Sequence, residues 1–120
     1  MRAIAFLLLA AASAPRLTEQ KASDYRTAAE QGDADAQFNL GVCYKNGSGV
    51  EKSYAQAVYW YKRSAEQGYA KSQYYLGFCC FCGEGITESY DQATYWWKRS
   101  AEQGYIDAQK ALQLIGESWK

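Results

Sequence analysis

The tetrapeptide Ala-Glu-Gln-Gly occurs three times, at residues 29–32, 65–68 and 101–104, each copy 36 residues after the last. Overlaid at that step, residues 29–64 and 65–100 agree at 20 of 36 positions. A fixed period of about 20–50 residues marks an array of supersecondary units, each burying its apolar face against its neighbours. Such a chain is expected to stack, and its function then lies on the extended surface that stacking builds. At 120 residues there is room for one small domain.

Within each unit the apolar spacing is helical. Ala34, Gln37, Leu40, Gly41 and Tyr44 share one face of a helix that stops at Gly47-Ser48-Gly49, where glycines free the backbone. Ser53-Tyr54-Ala55-Gln56 then forms a capping-box pattern, repeated at Ser89-Tyr90-Asp91-Gln92, in which Ser caps and Gln reaches back. Ala57, Trp60, Tyr61, Ser64 and Ala65 share a face of the second helix. Gly68 and Gly104 are expected to close such helices in the left-handed conformation. The spacing predicts six helices near 18–31, 33–46, 53–67, 69–82, 89–103 and 105–117, consecutive ones antiparallel. Leu40, Leu76, Trp60 and Trp96 fall at core positions. Gly41 and Gly77 mark close helix approach, where a large side chain costs about 1–3 kcal/mol. In the last half-unit Gln113 replaces Gly77 and Lys110 replaces Tyr74, a polar substitution expected of a terminal cap that completes the domain.

The N-terminus departs from the repeat. Met1-Arg2 precedes the apolar run 3–12 and then Ser13-Ala14-Pro15. A basic start, an apolar core of about ten residues and small residues after it read as a secretory signal, here residues 1–14. The competing reading is an apolar first helix of the fold. Ten residues are too few for a bilayer span, which needs about 20. Export implies a periplasmic or secreted location. The remainder divides into a half-repeat 17–32, repeats 33–68 and 69–104 and a capping half-repeat 105–118.

Formal net charge is zero, which gives no electrostatic footprint for a nucleic acid. Lys62-Arg63 and Lys98-Arg99 recur at the period, and Glu66 and Glu102, four residues after each Lys, are placed to offset them. The chain has no histidine, the commonest general acid–base group and metal ligand. The pairs Gly47/Gly49 and Gly83/Gly85 lack the third glycine or the lysine of phosphate-binding loops and follow helices rather than strands. No Gly-x-Ser-x-Gly or Ser-x-x-Lys occurs. The expectation is a non-enzyme without cofactor or metal.

Gln-x-x-Leu-Gly, Gly-x-Gly-Val, Ala-x-x-Trp-Tyr and Ala-x-Gln-Gly, in that order, resemble the Sel-one-like repeat family, a relative of the tetratricopeptide repeat. The residues carrying the resemblance are Ala34, Ala36, Gln37, Leu40, Gly41, Tyr44, Gly47, Gly49, Val50, Ala57, Trp60, Tyr61, Ala65, Gln67 and Gly68. The second copy keeps Leu76, Gly77, Trp96 and Gly104 but carries Ser72 for Ala36, Cys80 for Tyr44, Ile86 for Val50 and Trp97 for Tyr61. The resemblance covers about residues 25–116. It implies an all-α fold, a right-handed α-solenoid of antiparallel helix pairs, and a role in assembling proteins rather than catalysis. Many bacterial members are exported. Some cysteine-rich relatives are linked to β-lactam binding, but their paired-cysteine pattern is not repeated here. The alternative function is a cysteine-dependent or β-lactam-binding, enzyme-like repeat protein.

The four cysteines are Cys43, Cys79, Cys80 and Cys82. Cys43 and Cys79 are repeat equivalents, so stacked helices hold them about 10 Å apart, beyond the disulfide limit of about 7 Å. Cys79 and Cys82 can meet at a helix end, and export favours some pairing. A redox or zinc role is disfavoured, because the pair ends a helix and lacks a fourth ligand.

In solenoids of helix pairs the first helix of each pair lines the concave face. Its variable stripe is Asp35, Asn39, Val42 and Lys45, then Lys71, Tyr75, Phe78 and Phe81, then Asp107, Ala111 and Leu114. Tyr75, Phe78 and Phe81 replace Asn39, Val42 and Lys45 of the preceding copy, so packing alone does not demand aromatics there. Clustered exposed aromatics anchor binding patches. The expectation is a surface that captures a peptide or partner helix, with Lys71 and Asn39 orienting it. The competing readings are that these rings cover a neighbouring helix or the turn, or that the patch drives self-association. Asn46-Gly47-Ser48 is an acceptor sequence for glycosylation in a eukaryotic host.

Overall fold

The computed structural model describes residues 17–120. The signal-peptide reading of residues 1–14 lies outside them. The described residues contain no strand and fold into six helices: α1 (17–30), α2 (Ala34–Asn46), α3 (Tyr54–Glu66), α4 (Ala70–Cys82), α5 (Tyr90–Glu102) and α6 (Ile106–Leu114). They stack in chain order into a rod of 64 × 29 × 26 Å. This is the all-α solenoid expected from the period.

Local chemistry sets the boundaries. Asp33 caps α2 by accepting from the Ala36 amide at 3.0 Å, and Gly47 ends it in the left-handed region with φ 70°. Ser53 and Ser89 cap α3 and α5, each accepting from the amide three residues on at 3.2 Å. Only that half of the capping box forms. The Ser53 and Ser89 amides, which Gln56 and Gln92 were expected to reach, donate instead to the carbonyls of Tyr44 and Cys80 at 2.9 and 2.8 Å. Those bonds tie each second helix to the end of the first. Gly68 and Gly104 take φ of 93° and 90° and turn the chain directly into the next helix. α6 ends earlier than the expected 117. Gly116 turns at φ 76°, the Glu117 amide folds back to the Leu112 carbonyl at 2.9 Å, and the Glu117 carboxylate is held by Lys98 at 3.5 Å and the Tyr90 hydroxyl at 3.1 Å. The partner of Lys98 among the described residues is thus Glu117 rather than Glu102.

Leu40, Leu76 and Leu112 occupy the same place in successive units and are fully buried, each contributing about 2–3 kcal/mol relative to exposure. Trp60 and Trp96 are also buried. Arg63 and Arg99 lie over these indoles at 5.4 and 5.6 Å from the ring centroids. The close approach at Gly41 and Gly77 is made by a ring rather than by a second backbone. A Cβ on Gly41 would sit 2.6 and 2.7 Å from two ring carbons of Tyr61, and one on Gly77 would sit 2.5 Å from Cδ1 of Trp97. The Trp97 indole N–H donates to the Tyr74 carbonyl at 3.0 Å.

The buried amides of Gln37 and Gln73 join each unit to the one before it, and the exposed Gln67 and Gln103 brace them within their own unit. Gln67 Nε2 donates to Gln37 Oε1 at 2.8 Å while Gln37 Nε2 donates to the Ala29 carbonyl at 3.0 Å. Gln103 and Gln73 repeat the pair at 2.9 Å, with Gln73 donating to the Ala65 carbonyl at 3.1 Å. Ser64 and Ser100 donate to the Ala34 and Ala70 carbonyls at 2.7 and 2.8 Å.

Candidate functional site

The variable stripe divides into a filled step and an open one. At the first step Phe38, buried, is covered by Tyr75 from the next unit, with ring centroids 5.3 Å apart. Tyr61 closes the cluster, 5.7 Å from Phe38 and 5.8 Å from Tyr75. Two ammonium groups lie on this cluster: Lys71 at 5.4 Å from the Phe38 centroid and Lys45 at 5.4 Å from that of Tyr75. Such placements are worth about 0.5–1 kcal/mol each at exposed sites. Asn39 and Val42 are half-buried beside this cluster, Val42 packed against the core. Tyr75 and Lys71 are thus joined to α2 by packing and cation–π contact, which bears out the reading of a ring covering a neighbouring helix for Tyr75.

The second step is different. Phe78 and Phe81 are 43% and 38% exposed and lean on Trp97, with centroids 6.5 and 5.4 Å away. A cavity of about 390 Å³ lies between α4, α5 and α6, its wall formed by Tyr74, Phe78, Phe81, Trp97, Ala111 and Leu114, with Asp107, Lys110, Cys82 and Ile115 at its edge. Lys45, Tyr74, Tyr75, Phe78 and Asp107 line a second hollow of about 260 Å³ that shares Tyr74, Phe78 and Asp107 with the first. Side chains from α2, α4 and α6 therefore border one continuous depression. Lys45, Tyr75, Phe78, Phe81, Asp107, Ala111 and Leu114 of the stripe meet there, whereas Asp35, Asn39, Val42 and Lys71 do not line it. Tyr74 and Trp97 were missed as lining residues, having been read only as copies of Phe38 and Tyr61. The signal that finds them is the exchange of Tyr75 for Ala111 one unit on, which leaves Tyr74 half-buried and Trp97 covered by Phe78 and Phe81 instead.

Electrostatics at the site is local. The Tyr69 hydroxyl donates to Asp35 at 2.7 Å; that hydrogen bond, aided by burial, pushes its pKa up to about 12. Burial, then the Asp107 carboxylate, raises the Tyr74 hydroxyl. Burial also raises Tyr105, with Tyr75 and Asp107 adding to it.

All four cysteines are free thiols, so the pairing that export would favour is not formed. Cys43, Cys79 and Cys80 are buried and Cys82 is exposed. Burial pushes the Cys79 thiol up to about 12, and raises Cys43 and Cys80. These three are protonated at neutral pH and poor nucleophiles. Among the described residues no three Cys, Asp or Glu side chains converge to hold a metal ion, and no helix is long and apolar enough to cross a membrane.

The profile of the Sel1 repeat matches residues 34–69 and again 70–105. Among solved structures, a Sel1 repeat protein from Oxalobacter formigenes is 40% identical with a TM-score of 0.78, covering 81% of this chain and 40% of that one. A protective antigen of uropathogenic Escherichia coli with an SLR fold is 37% identical with a TM-score of 0.79, covering 81% of this chain and 21% of that one. The cysteine-rich protein B of Helicobacter pylori, at 23% identity and a TM-score of 0.73 over 76% of this chain and 68% of that one, shares the fold. Among curated proteins, DAP3-binding cell death enhancer 1 of Rattus norvegicus is 44% identical over 55 residues, and that of Mus musculus 40%. That stretch is 45% of this chain and spans about a tenth, 11%, of the relatives' length. With two matched repeats covering more than half its residues and the helical array to go with them, the chain belongs to the Sel1 repeat family.

Proposed function

We propose that this chain is a non-catalytic adaptor that captures a segment of another protein in the depression lined by α2, α4 and α6. Sel1 repeats in general mediate protein interactions. The observation that carries the reading here is the exposure of Phe78 and Phe81 beside an apolar cavity of about 390 Å³. Exposed aromatics at a concave apolar patch are the usual anchors of a protein interface. Asn39, Val42, Lys71 and Tyr75 form the flank of that surface, with Lys71 and Asn39 available to orient a bound segment at its α2 end. The buried, protonated thiols and the lack of histidine argue against the cysteine-dependent alternative. A balanced charge argues for protein rather than nucleic acid. Export as a periplasmic or secreted protein rests on the pattern of residues 1–14 alone, and N-terminal sequencing of the mature protein tests it.

The adaptor reading is tested by partner capture from envelope extract with Phe78→Ala and with the Phe78/Phe81 double alanine variant. Both residues are exposed, whereas Tyr75 is half-buried against Phe38 and Tyr61; helicity is measured beside capture because both rings lean on the buried Trp97. Loss of capture with helicity retained is expected. Undiminished capture by the double variant refutes the reading. A parallel loss of capture and helicity makes the two rings structural.

A further inference from the structure

The repeat contains its own template for what the open step lacks. A shift of 36 residues carries Phe38, Tyr61, Lys71 and Tyr75 onto Tyr74, Trp97, Asp107 and Ala111. In the first unit the Tyr75 ring lies against Phe38 and Tyr61, and the Lys71 ammonium lies 5.4 Å from the Phe38 centroid. In the second unit the two aromatic walls are kept as Tyr74 and Trp97, and the ring at Tyr75 is reduced to the methyl group of Ala111; Trp97 still lines the cavity, 3% exposed, with Phe78 and Phe81 leaning on it. The ammonium is replaced by a carboxylate, Asp107. What is removed is an aromatic ring together with a cation, and what is gained is an anion at the place of that cation. The space left is about 390 Å³. An apolar cavity of about 150 Å³ is enough to take up benzene. Asp107 forms no ion pair among the described residues and lines both the cavity and the adjoining groove. Its charge acts on the Tyr74 and Tyr105 hydroxyls, which puts it on the Tyr74 side of the opening.

We propose that the cavity between α4, α5 and α6 is a side-chain subsite for an aromatic residue adjacent to a lysine or arginine in a bound peptide. The ring takes the place that Tyr75 fills one unit earlier, against Tyr74 and Trp97. The cation takes the place of the Lys71 ammonium, over the Tyr74 ring and paired with Asp107. Lys110 also borders the cavity and would favour the opposite charge, so charge preference is the discriminating observation. The proposal rests on the adaptor reading and narrows it to one peptide chemistry.

The test uses four-residue blocked peptides, Gly-Phe-Lys-Gly, Gly-Phe-Glu-Gly and Gly-Leu-Lys-Gly, titrated into isotope-labelled protein and followed by NMR. The Phe-Lys peptide is expected to shift the Trp97 indole and Ala111 amide signals and to bind about threefold more tightly than either control, the size of one exposed ion pair or one ring contact. Asp107→Asn, an exposed change that leaves packing intact, is expected to remove the preference for Lys over Glu. Ala111→Tyr rebuilds the ring of the first unit and is expected to abolish binding. Equal binding of the three peptides, an unchanged preference in Asp107→Asn, or no response at Trp97 overturns the proposal. If Ala111→Tyr fails to fold, the peptide comparison and Asp107→Asn decide alone. Partner capture that survives Ala111→Tyr but is lost in the Phe78/Phe81 variant removes the subsite and leaves the adaptor reading standing.

Discussion

Replacing Gly41 or Gly77 with alanine sets helix propensity against packing at a site where both are known. Alanine in a helix interior is favoured over glycine by about 0.8–1 kcal/mol. Against this, the new methyl group at Gly41 would lie 2.6 Å from a ring carbon of Tyr61, where ordinary contact needs about 3.5 Å or more. The ring cannot simply swing aside, because Tyr61 is 0% exposed and held between Phe38 and Tyr75. Overpacking of this kind costs about 1–3 kcal/mol, leaving Gly41→Ala a net destabilisation of about 0–2 kcal/mol. Gly77→Ala should cost more. Its methyl group meets the Trp97 indole at 2.5 Å, and displacing the indole also breaks the bond to the Tyr74 carbonyl, worth a further 1 kcal/mol or so. Urea unfolding followed by circular dichroism measures both. A decisive control is Gly41→Ala in a Tyr61→Leu background: with the ring gone, alanine should become neutral or stabilising, and the coupling read from the double-mutant cycle should be about 1 kcal/mol or more. If either single variant is more stable than the parent, or the cycle shows no coupling between Gly41 and Tyr61, the reasoning from ring approach is wrong.

Three further outcomes are expected. In Ellman titration of the native protein one thiol, Cys82, should react rapidly and three only on unfolding, since Cys43, Cys79 and Cys80 are buried; two or more fast thiols would contradict the packing. Tyr69 and Cys79 are both raised to about 12 in the folded state, from ordinary values near 10 and 9, so the stability they contribute is complete below pH 9 and is lost as pH rises towards 12. The urea midpoint should therefore hold steady from pH 7 to about 8.5 and fall above 9, and Asp35→Asn should lower the Tyr69 pKa in a tyrosinate absorbance titration; a flat midpoint to pH 11 would refute this. Tyr61→Phe should be neutral or stabilising by up to about 1 kcal/mol, because the Tyr61 hydroxyl is buried without a hydrogen-bond partner among the described residues; a loss above 1 kcal/mol in the same urea assay would show that the hydroxyl is used.

What was legible in the sequence follows the reach of each interaction. Helix limits depend on near neighbours, so Ser53, Gly68 and Gly104 announce them within a few residues. The capping box at Ser53 was half right because the competing acceptor, the Tyr44 carbonyl, belongs to another helix. Gly41 was readable as a close contact, but not that a tyrosine ring made it, since Tyr61 is 20 residues away. At the site, Phe78 and Phe81 stood out by exceeding what their counterparts Val42 and Lys45 require. The cavity beside them did not, because a cavity is marked by what is missing, here the ring at Ala111. Tyr75 looked equivalent to its two neighbours on the stripe, yet it is committed to Phe38 on the adjacent helix.

The paired glutamines give the rod a mechanical character of its own. Gln37 and Gln73 are buried, and each donates across a boundary between modules, to the Ala29 and Ala65 carbonyls, so pulling one module off breaks a hydrogen bond shut away from water. Peeling from an end is thereby penalised at every seam. The array should melt in a single concerted transition, and a partner gripping one end should stiffen the other.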